Sequence, residues 1–189
     1  MPPRRAVSPA PTSIRVPVLL LTGSVGVGKT SVAGTLSGLL TAERIPHAVA
    51  DMDWLRYCYP LSANDPYNTA LGLRNLAAVW TNYHAAGAHC LITTTVVESR
   101  ADVLAVQQVI PGAAVFVVRL RASLPTILRR LAARETGEGL QWHQQRAAAL
   151  VTQMERTKLE DLLIDTEDKA IDVVAAEIRH SSGWPSVVV

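Results

Sequence analysis

The sequence predicts an α/β fold in which a five-stranded parallel β-sheet is sandwiched between helices. Short apolar runs of strand length alternate along the chain with stretches whose apolar residues recur at helical spacing. This alternation is typical of repeated strand–helix units around a parallel sheet. A glycine-rich segment, 23–30, also lies between the first strand and the first helix. With 189 residues, of which 49% are apolar, the chain is long enough for one domain with a full core.

The strands and helices can be placed from apolar runs and from the glycine and proline residues that end them. The five strands are predicted at 16–22, 48–50, 89–97, 114–120 and 162–164. Helical spacing predicts helices at 29–43, 67–86, 100–109, 124–134 and 169–180, with a further helix that ends near residue 158.

The two ends of the chain carry no such pattern. Residues 1–15 are rich in Pro, Ala and Ser and lack the apolar middle of a signal peptide, so they are predicted to be a disordered leader. Residues 181–189 are predicted to be a tail, which leaves one domain at 16–180.

Composition and charge exclude several classes of function. A net charge of +2, from 18 basic and 16 acidic residues, is no footprint for nucleic acid or for an anionic membrane. The sequence contains no run of about 18 apolar residues, which is the length needed to span a bilayer. The two cysteines, Cys58 and Cys90, are far apart in sequence, which indicates a reduced, cytoplasmic protein. The oligomeric state stays open, with a homodimer as one option.

The glycine-rich segment fits the phosphate-binding pattern G-x-x-x-x-G-K-[ST] without a mismatch. Glycines let the backbone approach a phosphate, and successive N–H groups at a helix N-terminus form an anion-binding nest. The alternative, a turn with a solvated lysine, is disfavoured because a strand precedes the segment and a helix follows it. The predicted contacts to ATP are Gly23, Ser24, Val25, Gly26, Val27, Gly28, Lys29, Thr30 and Ser31. Among these, Lys29 is assigned to the β- and γ-phosphates and Thr30 to Mg²⁺.

Two carboxylates follow the second predicted strand. Asp51 and Asp53 are two residues apart, so both side chains can converge on one site. In phosphoryl transfer a carboxylate either holds Mg²⁺ or accepts the proton of an attacking hydroxyl. Arg56, three residues further, can contact an anionic group. Taken alone, such a pair is more often a solvated loop end or a helix cap.

Together these motifs resemble the small P-loop kinases of metabolites, such as adenylylsulfate, shikimate and gluconate kinases. The segment 51–56 matches the D-x-D-x-x-R motif of adenylylsulfate kinases. The resemblance implies a P-loop NTPase fold of the nucleoside-monophosphate-kinase type, with Asp53 as the catalytic carboxylate, Asp51 in the magnesium shell and Arg56 on the substrate. It also implies a substrate contact for Arg74. The family's aromatic-Ser-Pro segment after the third strand is absent, and Thr95 is assigned to the substrate in its place.

The resemblance extends to the arginine-rich fourth helix and the segments after it. Arg130 and Arg134 resemble the R-x-x-x-R pattern at the lid entry of related kinases, which implies adenine stacking for Arg130 and phosphate contact for Arg134. The alternative is a solvated basic face. The polar stretch 135–146 is predicted to be a mobile lid. Asp165 and Thr166 resemble the loop beside the adenine, although a helix N-cap is an equal alternative.

The region 54–86 is predicted to bind the acceptor, because it concentrates aromatic residues in a chain with 5% of them. These residues suit a ring-bearing acceptor, although ordinary core packing explains them equally well. They are Tyr57, Tyr59, Tyr67, Trp80 and Tyr83.

The sequence therefore predicts an enzyme that transfers the γ-phosphoryl group of ATP to a hydroxyl of a small molecule, with help from Mg²⁺. Lys29, Asp53, Arg130 and Arg134 are the predicted catalytic residues. The alternative is a nucleotide-switch ATPase or a regulatory nucleotide-binding protein. Such proteins usually carry an aspartate at the end of the third strand, and the segment 93–97 has none.

Overall fold

The computed structural model describes residues 15–185, so the predicted leader lies almost entirely outside the described residues. Five strands form one sheet in the order β2-β3-β1-β4-β5. Every neighbouring pair is parallel, which confirms the predicted α/β class and the five-stranded sheet. The strands are β1 (Val16–Thr22), β2 (His47–Asp51), β3 (Cys90–Thr94), β4 (Ala113–Arg121) and β5 (Leu162–Asp165).

Seven helices connect and flank these strands within the described part of the chain. They are α1 (Lys29–Ala42), α2 (Met52–Leu55), α3 (Thr69–Ala85), α4 (Arg100–Val109), α5 (Leu124–Arg134), α6 (Gly137–Thr157) and α7 (Ile171–Ser182). None of them is both long enough and apolar enough to cross a membrane.

The central strand β1 is buried on both faces, because its alternate side chains enter different core clusters. Leu19 and Leu21 pack with α1 and α7 on one face. Val18 packs with α3 and α4 on the other. The result is a three-layer sandwich, as the sequence predicts, with all five strands ending at the same rim.

The structure corrects three predicted boundaries. Strand β3 ends at Thr94 rather than Val97, because the backbone of Val97 donates to the Thr22 hydroxyl at 2.9 Å instead of joining the ladder. Helix α7 begins at Ile171 rather than Lys169 and runs into the predicted tail, to Ser182. Just beyond α7, Trp184 is buried in the core.

The third correction concerns the polar stretch 135–146, which is helical from Gly137 onward. Leu140 lies against the core and Ala147, Leu150 and Met154 are buried in it. Their spacing of seven, three and four residues places one face of α6 on the domain. The stretch was predicted to be irregular because two glycines and several polar residues obscure the start of this pattern.

Candidate functional site

The glycine-rich segment 23–30 forms a tight turn between β1 and α1, hereafter the phosphate loop. Gly23, Gly26 and Gly28 all have positive φ angles, of 142°, 83° and 107°. At Gly23 a Cβ atom would lie 2.5 Å from the carbonyl oxygen of Leu120, so only glycine fits there. No side chain caps the N-terminus of α1. Its first N–H groups therefore remain available to an anion.

Lys29 is half-buried and folds back over this loop. Its Nζ donates to the carbonyl oxygens of Gly23 and Ser24, at 3.1 Å each. Burial lowers the pKa of Lys29 to about 8, although Asp53 and Asp51 oppose the shift and favour the charged form. The two carboxylates therefore lie within electrostatic reach of the lysine that the sequence assigns to phosphate. Arg56 and Arg134 lower this pKa further, so they belong to the same electrostatic neighbourhood.

Thr30 joins the phosphate loop to the end of β2. Its hydroxyl donates to Asp51 Oδ2 at 2.7 Å, and Asp51 Oδ1 accepts from the backbone of Asp53 at 2.9 Å. Asp51 therefore caps α2, as the helix-cap alternative holds, and it also contacts the phosphate loop through Thr30.

The Thr30 and Asp51 oxygens are hard donors of the kind that Mg²⁺ prefers. Residues 15–185 contain no group of three or more His, Cys, Asp or Glu that could hold a metal ion. Mg²⁺ commonly keeps several waters and phosphate oxygens as ligands, so a hydroxyl and one carboxylate fit such an ion.

Asp53 and Arg56 form an ion pair across one turn, with the Asp53 side chain more than half exposed. Residues in the first turns of α3 contact the end of α2, next to this ion pair. Asn75 donates to the carbonyl oxygen of Leu55 at 2.7 Å. A Cβ atom at Gly72 would lie 3.1 Å from Cβ of Arg56, which leaves room only for glycine or a small adjustment. These two contacts could not be predicted from sequence patterns, because they join residues that are 16 and 20 positions apart.

The segment between α2 and α3, hereafter the acceptor loop (56–68), is pinned by Asn68. The Asn68 amide donates to the carbonyl oxygens of Arg56 and Cys58, at 3.0 Å each. Asn68 is buried and has a φ angle of 49°, in the left-handed region that asparagine tolerates. Asp65 caps α3 by accepting from the backbones of residues 69–71. An Asn just before an apolar helix was the available sequence signal for this pin.

The aromatic residues predicted to bind the acceptor divide into two groups. Tyr57, Tyr59 and Tyr67 are exposed, whereas Trp80 is 4% exposed and packs in the core. The Trp80 ring stacks on His84 with centroids 5.4 Å apart. For Trp80, the core-packing alternative is therefore the correct one.

The structure does not bring Arg74 to the Asp53–Arg56 pair. Arg74 is exposed on α3, two positions from Gly72, which faces α2. Two positions on an α-helix correspond to a rotation of about 160°. Arg74 therefore points away from α2. Thr95 is buried just after β3, and its N–H donates to the carbonyl oxygen of Leu21 in β1 at 3.1 Å. Ser31 is exposed in the first turn of α1.

Arg130 lies at the other end of the phosphate loop. Its guanidinium donates to the Val27 carbonyl at 3.2 Å and to the Thr166 carbonyl at 2.9 Å. It thereby joins the phosphate loop to the segment after β5. At the end of β5, the backbone N–H of Glu167 and the Arg121 guanidinium lower the pKa of Asp165.

The segment 165–166 does not cap a helix. Helix α7 begins five residues after Thr166, and its N-cap is Ala170. The helix N-cap alternative is therefore wrong: Thr166 contacts Arg130, and Asp165 pairs with Arg121.

Arg134 is held by an acidic neighbour rather than lying free. Glu135 accepts from Arg134 and also from His143 of α6. Burial raises the pKa of Glu135, but the hydrogen bonds from Arg134 and His143 outweigh burial and lower it overall. Glu135 therefore fixes Arg134 at the start of the predicted lid.

Two further ion pairs anchor α6, and the sequence did not reveal either. Arg119 is buried in β4 and donates to Glu155 and Glu160, at 2.9 Å each. Burial opposes its charge, but these two carboxylates raise the pKa of Arg119 overall. Arg146 of α6 pairs with Glu98, in the segment after β3. Helix α6 is thus tied to β4 near its C-terminal end, through Glu155, and to the segment after β3 at its middle, through Arg146.

With this geometry in place, comparisons with known proteins define the class. A family model described as an AAA domain matches residues 19–161. The chain therefore belongs to this family of P-loop domains. A comparison with curated protein sequences found no match.

Solved structures of small P-loop kinases share the fold. APS kinase from Mycobacterium tuberculosis, in complex with AMPPNP and APS, is 24% identical, with a TM-score of 0.60 over 88% of this chain and 96% of that one. Shikimate kinase from Acinetobacter baumannii, in complex with shikimate, is 17% identical, with a TM-score of 0.54 over 87% and 92%. The predicted P-loop NTPase fold and the predicted resemblance to these kinases are confirmed.

A third solved structure that shares the fold belongs to a resistance protein. The tunicamycin resistance protein from Deinococcus radiodurans is 24% identical to this chain, with a TM-score of 0.60 over 89% of this chain and 96% of that one. Its likeness again establishes the fold.

Proposed function

We propose that this protein is an ATP-dependent phosphotransferase that moves the γ-phosphoryl group of ATP to a hydroxyl of a small molecule. One observation carries the proposal: the 2.7 Å hydrogen bond between Thr30 and Asp51. It joins the phosphate loop to the end of β2, and Asp53 follows two residues later in α2. A phosphoryl group held on the loop would therefore lie beside a carboxylate, as transfer to an alcohol requires.

On the nucleotide side, ATP supplies the phosphoryl group and Mg²⁺ neutralises part of the phosphate charge. The loop backbone and Lys29 bind the phosphates, and Thr30 and Asp51 hold the ion. Arg130, Asp165 and Thr166 border the base. Lys29 and Arg134 stabilise the charge that develops on the transferring group, because fixed cations do so with little reorganisation.

On the acceptor side, Asp53 accepts the hydroxyl proton, and its ion pair with Arg56 orients the carboxylate. Tyr57 and Arg56 contact the body of the acceptor. The predicted substrate contacts of Arg74 and Thr95 are not part of this proposal, because Arg74 faces away from α2 and Thr95 is buried. The APS and shikimate kinases, solved with their small-molecule ligands, support an acceptor of similar size.

The variant Asp53→Asn tests this assignment. Asparagine keeps the shape of the aspartate side chain, but its amide cannot accept the proton of the acceptor hydroxyl. Phosphoryl transfer should therefore fall at least about a hundredfold. The affinity for Mg²⁺ and AMPPNP, measured by calorimetry, should stay within about threefold. Transfer is measured with radiolabelled ATP on a panel of sugars, hydroxy acids, nucleosides and aryl alcohols.

Asp172→Asn, which makes the same change in the first turn of α7, serves as the matched control and should keep full transfer. Undiminished transfer by Asp53→Asn would remove the base from the mechanism. Phosphate release that needs no acceptor and is equal in both variants would instead favour the switch-ATPase alternative.

A further inference from the structure

Four aromatic side chains near Asp53 lie in solvent, and we call them the aromatic patch: Trp54, Tyr57, Tyr59 and Tyr67. Their exposed fractions are 73%, 83%, 93% and 69%, in that order. Burying a large apolar side chain is worth roughly 1.5–3 kcal/mol, and this chain forgoes that gain four times within fourteen residues. Such a concentration of exposed apolar surface is typical of a binding site and not of an ordinary solvent-exposed loop.

Contacts within the structure connect three residues of the aromatic patch, Trp54, Tyr57 and Tyr67, into one region of the surface. The Trp54 and Tyr57 rings meet edge to face, with centroids 5.9 Å apart and planes at 63°. Tyr67 precedes Asn68, whose amide binds the carbonyl oxygens of Arg56 and Cys58. These bonds draw the backbone of Tyr67 beside that of Tyr57. The patch therefore begins at the residue next to Asp53 and continues along the acceptor loop.

The charge around the patch is equally informative. The region 52–86 contains two arginines, Arg56 and Arg74, and no lysine. Arg56 is paired with Asp53, and Arg74 lies on the side of α3 that faces away from α2. Asp65 is occupied by the backbone N–H groups at the start of α3. Within residues 52–86, a carboxylate or sulfate on the acceptor would thus find no unpaired arginine on the side that faces α2, and desolvating it would cost free energy.

From these observations we propose that the acceptor is an uncharged, ring-bearing alcohol that stacks on Trp54 and Tyr57 and presents its hydroxyl to Asp53. The inference rests on the proposed phosphotransferase function and narrows its substrate class. Planar apolar rings match aromatic side chains in shape and gain by burying both surfaces. The polar requirement is then limited to one hydroxyl, which the Asp53 carboxylate satisfies.

Two probes of the same shape test the charge preference. 4-Methylbenzyl alcohol and 4-(hydroxymethyl)benzoate share the ring and the hydroxymethyl group. They differ only at the para position, where the first carries a methyl group and the second a carboxylate. Binding to the full chain, with Mg²⁺ and AMPPNP present, is followed by ligand-observed NMR titration. We expect the neutral alcohol to bind at least about tenfold more tightly, the scale set by one unpaired buried charge or stacking contact.

The double variant Trp54→Ala, Tyr57→Ala should weaken binding of the neutral alcohol at least about tenfold, because it removes both rings. Val173→Ala is the control: it truncates an exposed apolar side chain on α7, which packs on the opposite face of the sheet from α3, and it should leave binding unchanged. Thermal unfolding of each variant verifies that the exposed substitutions keep the fold.

Three results would overturn the inference. The first is tighter binding of the carboxylate probe than of the neutral alcohol. The second is equal affinity of the wild type and the double variant for the neutral alcohol. The third is a wild-type dimer that dissociates in the double variant, which would assign the patch to self-association. Failure of the proposed function looks different. In that case the neutral alcohol binds and the double variant loses it, but no alcohol of the panel receives phosphate from radiolabelled ATP.

Discussion

At the scale of single residues, the site depends on how Lys29 responds to charge. In the absence of phosphate its ammonium rests on two carbonyl oxygens of its own loop, and burial lowers its pKa to about 8. A bound polyphosphate replaces those weak partners with negative charge, which favours the protonated lysine. The pKa of Lys29 must therefore be higher in the nucleotide complex than in the free protein.

This difference predicts proton uptake on nucleotide binding above pH 8. The complex holds more protons than the free protein between the two pKa values, so the association constant is greatest below about pH 8. It falls by up to about tenfold per pH unit above that value, until the pKa of the complex is reached. Calorimetric titration with Mg²⁺ and AMPPNP at pH 9, in buffers of different ionisation enthalpy, measures the uptake directly.

The control is Lys29→Arg, because arginine stays charged throughout this range and should show no uptake at pH 9. Uptake of the same size in the arginine variant would mean that another group titrates, and the assignment to Lys29 would be wrong.

At the scale of elements, the acceptor loop shows how a segment without regular structure is held in shape. Asn68 is its main pin, since one buried amide satisfies two carbonyl groups that the loop would otherwise leave unpaired. Helix α2, four residues long, could not hold Asp53 in place unaided. The close approach at Gly72 and the Asn75 hydrogen bond supply that support from α3.

Replacing the Asn68 amide should therefore loosen the whole acceptor loop. Asn68→Asp keeps the size of the side chain and tolerates the positive φ angle, but it removes both N–H donors. We expect a loss of about 1–3 kcal/mol in the free energy of unfolding, the cost of buried groups left unpaired. Hydrogen exchange across residues 56–68 should accelerate, while the phosphate loop stays protected.

Asn64→Asp makes the same chemical change at an exposed position of the same loop, and its hydrogen exchange should match that of the wild type. If both variants exchange alike, the hydrogen bonds of Asn68 do not hold the loop.

At the scale of the whole molecule, stability comes from two core layers around a sheet that is buried on both faces. The layer between the sheet and helices α1 and α7 also takes in Trp184, which lies beyond the last helix. Trp184 is 5% exposed, and its ring nitrogen has no hydrogen-bond partner within residues 15–185. Its contribution is therefore one of apolar packing, reduced by an unpaired N–H group.

Trp184→Ala should lower the free energy of unfolding by about 3–5 kcal/mol, the usual cost of emptying a buried tryptophan site. For a domain of this size the midpoint of thermal unfolding should fall by roughly 10 °C or more. Urea and thermal denaturation measure both quantities.

Trp142→Ala provides the comparison, because Trp142 is 53% exposed on α6 and its loss should change stability by no more than about 0.5 kcal/mol. Equal stability losses in the two variants would place Trp184 outside the core.

The amino-acid sequence by itself determined the phosphate loop, the five-stranded parallel sheet and the pair of aspartates at the end of β2. Each of these depends on a few consecutive residues: glycines that alone permit positive φ, apolar runs of strand length, and two aspartates close together at a strand end. The expectation that both aspartates lie on one strand was wrong, because β2 ends at Asp51 and Asp53 belongs to α2. Local constraints of this kind can be recognised without knowing what lies nearby in space.

Only the tertiary structure decided which of these residues meet and which aromatic side chains are free. The contact of Thr30 with Asp51 spans 21 residues, and that of Arg119 with Glu160 spans 41. The polar start of α6 is helical because distant apolar residues cover its inner face, and Trp80 is core while Tyr57 is exposed for the same reason. Burial and ion pairing depend on what packs against a residue from elsewhere in the chain, and the residue's own neighbours in sequence do not record it.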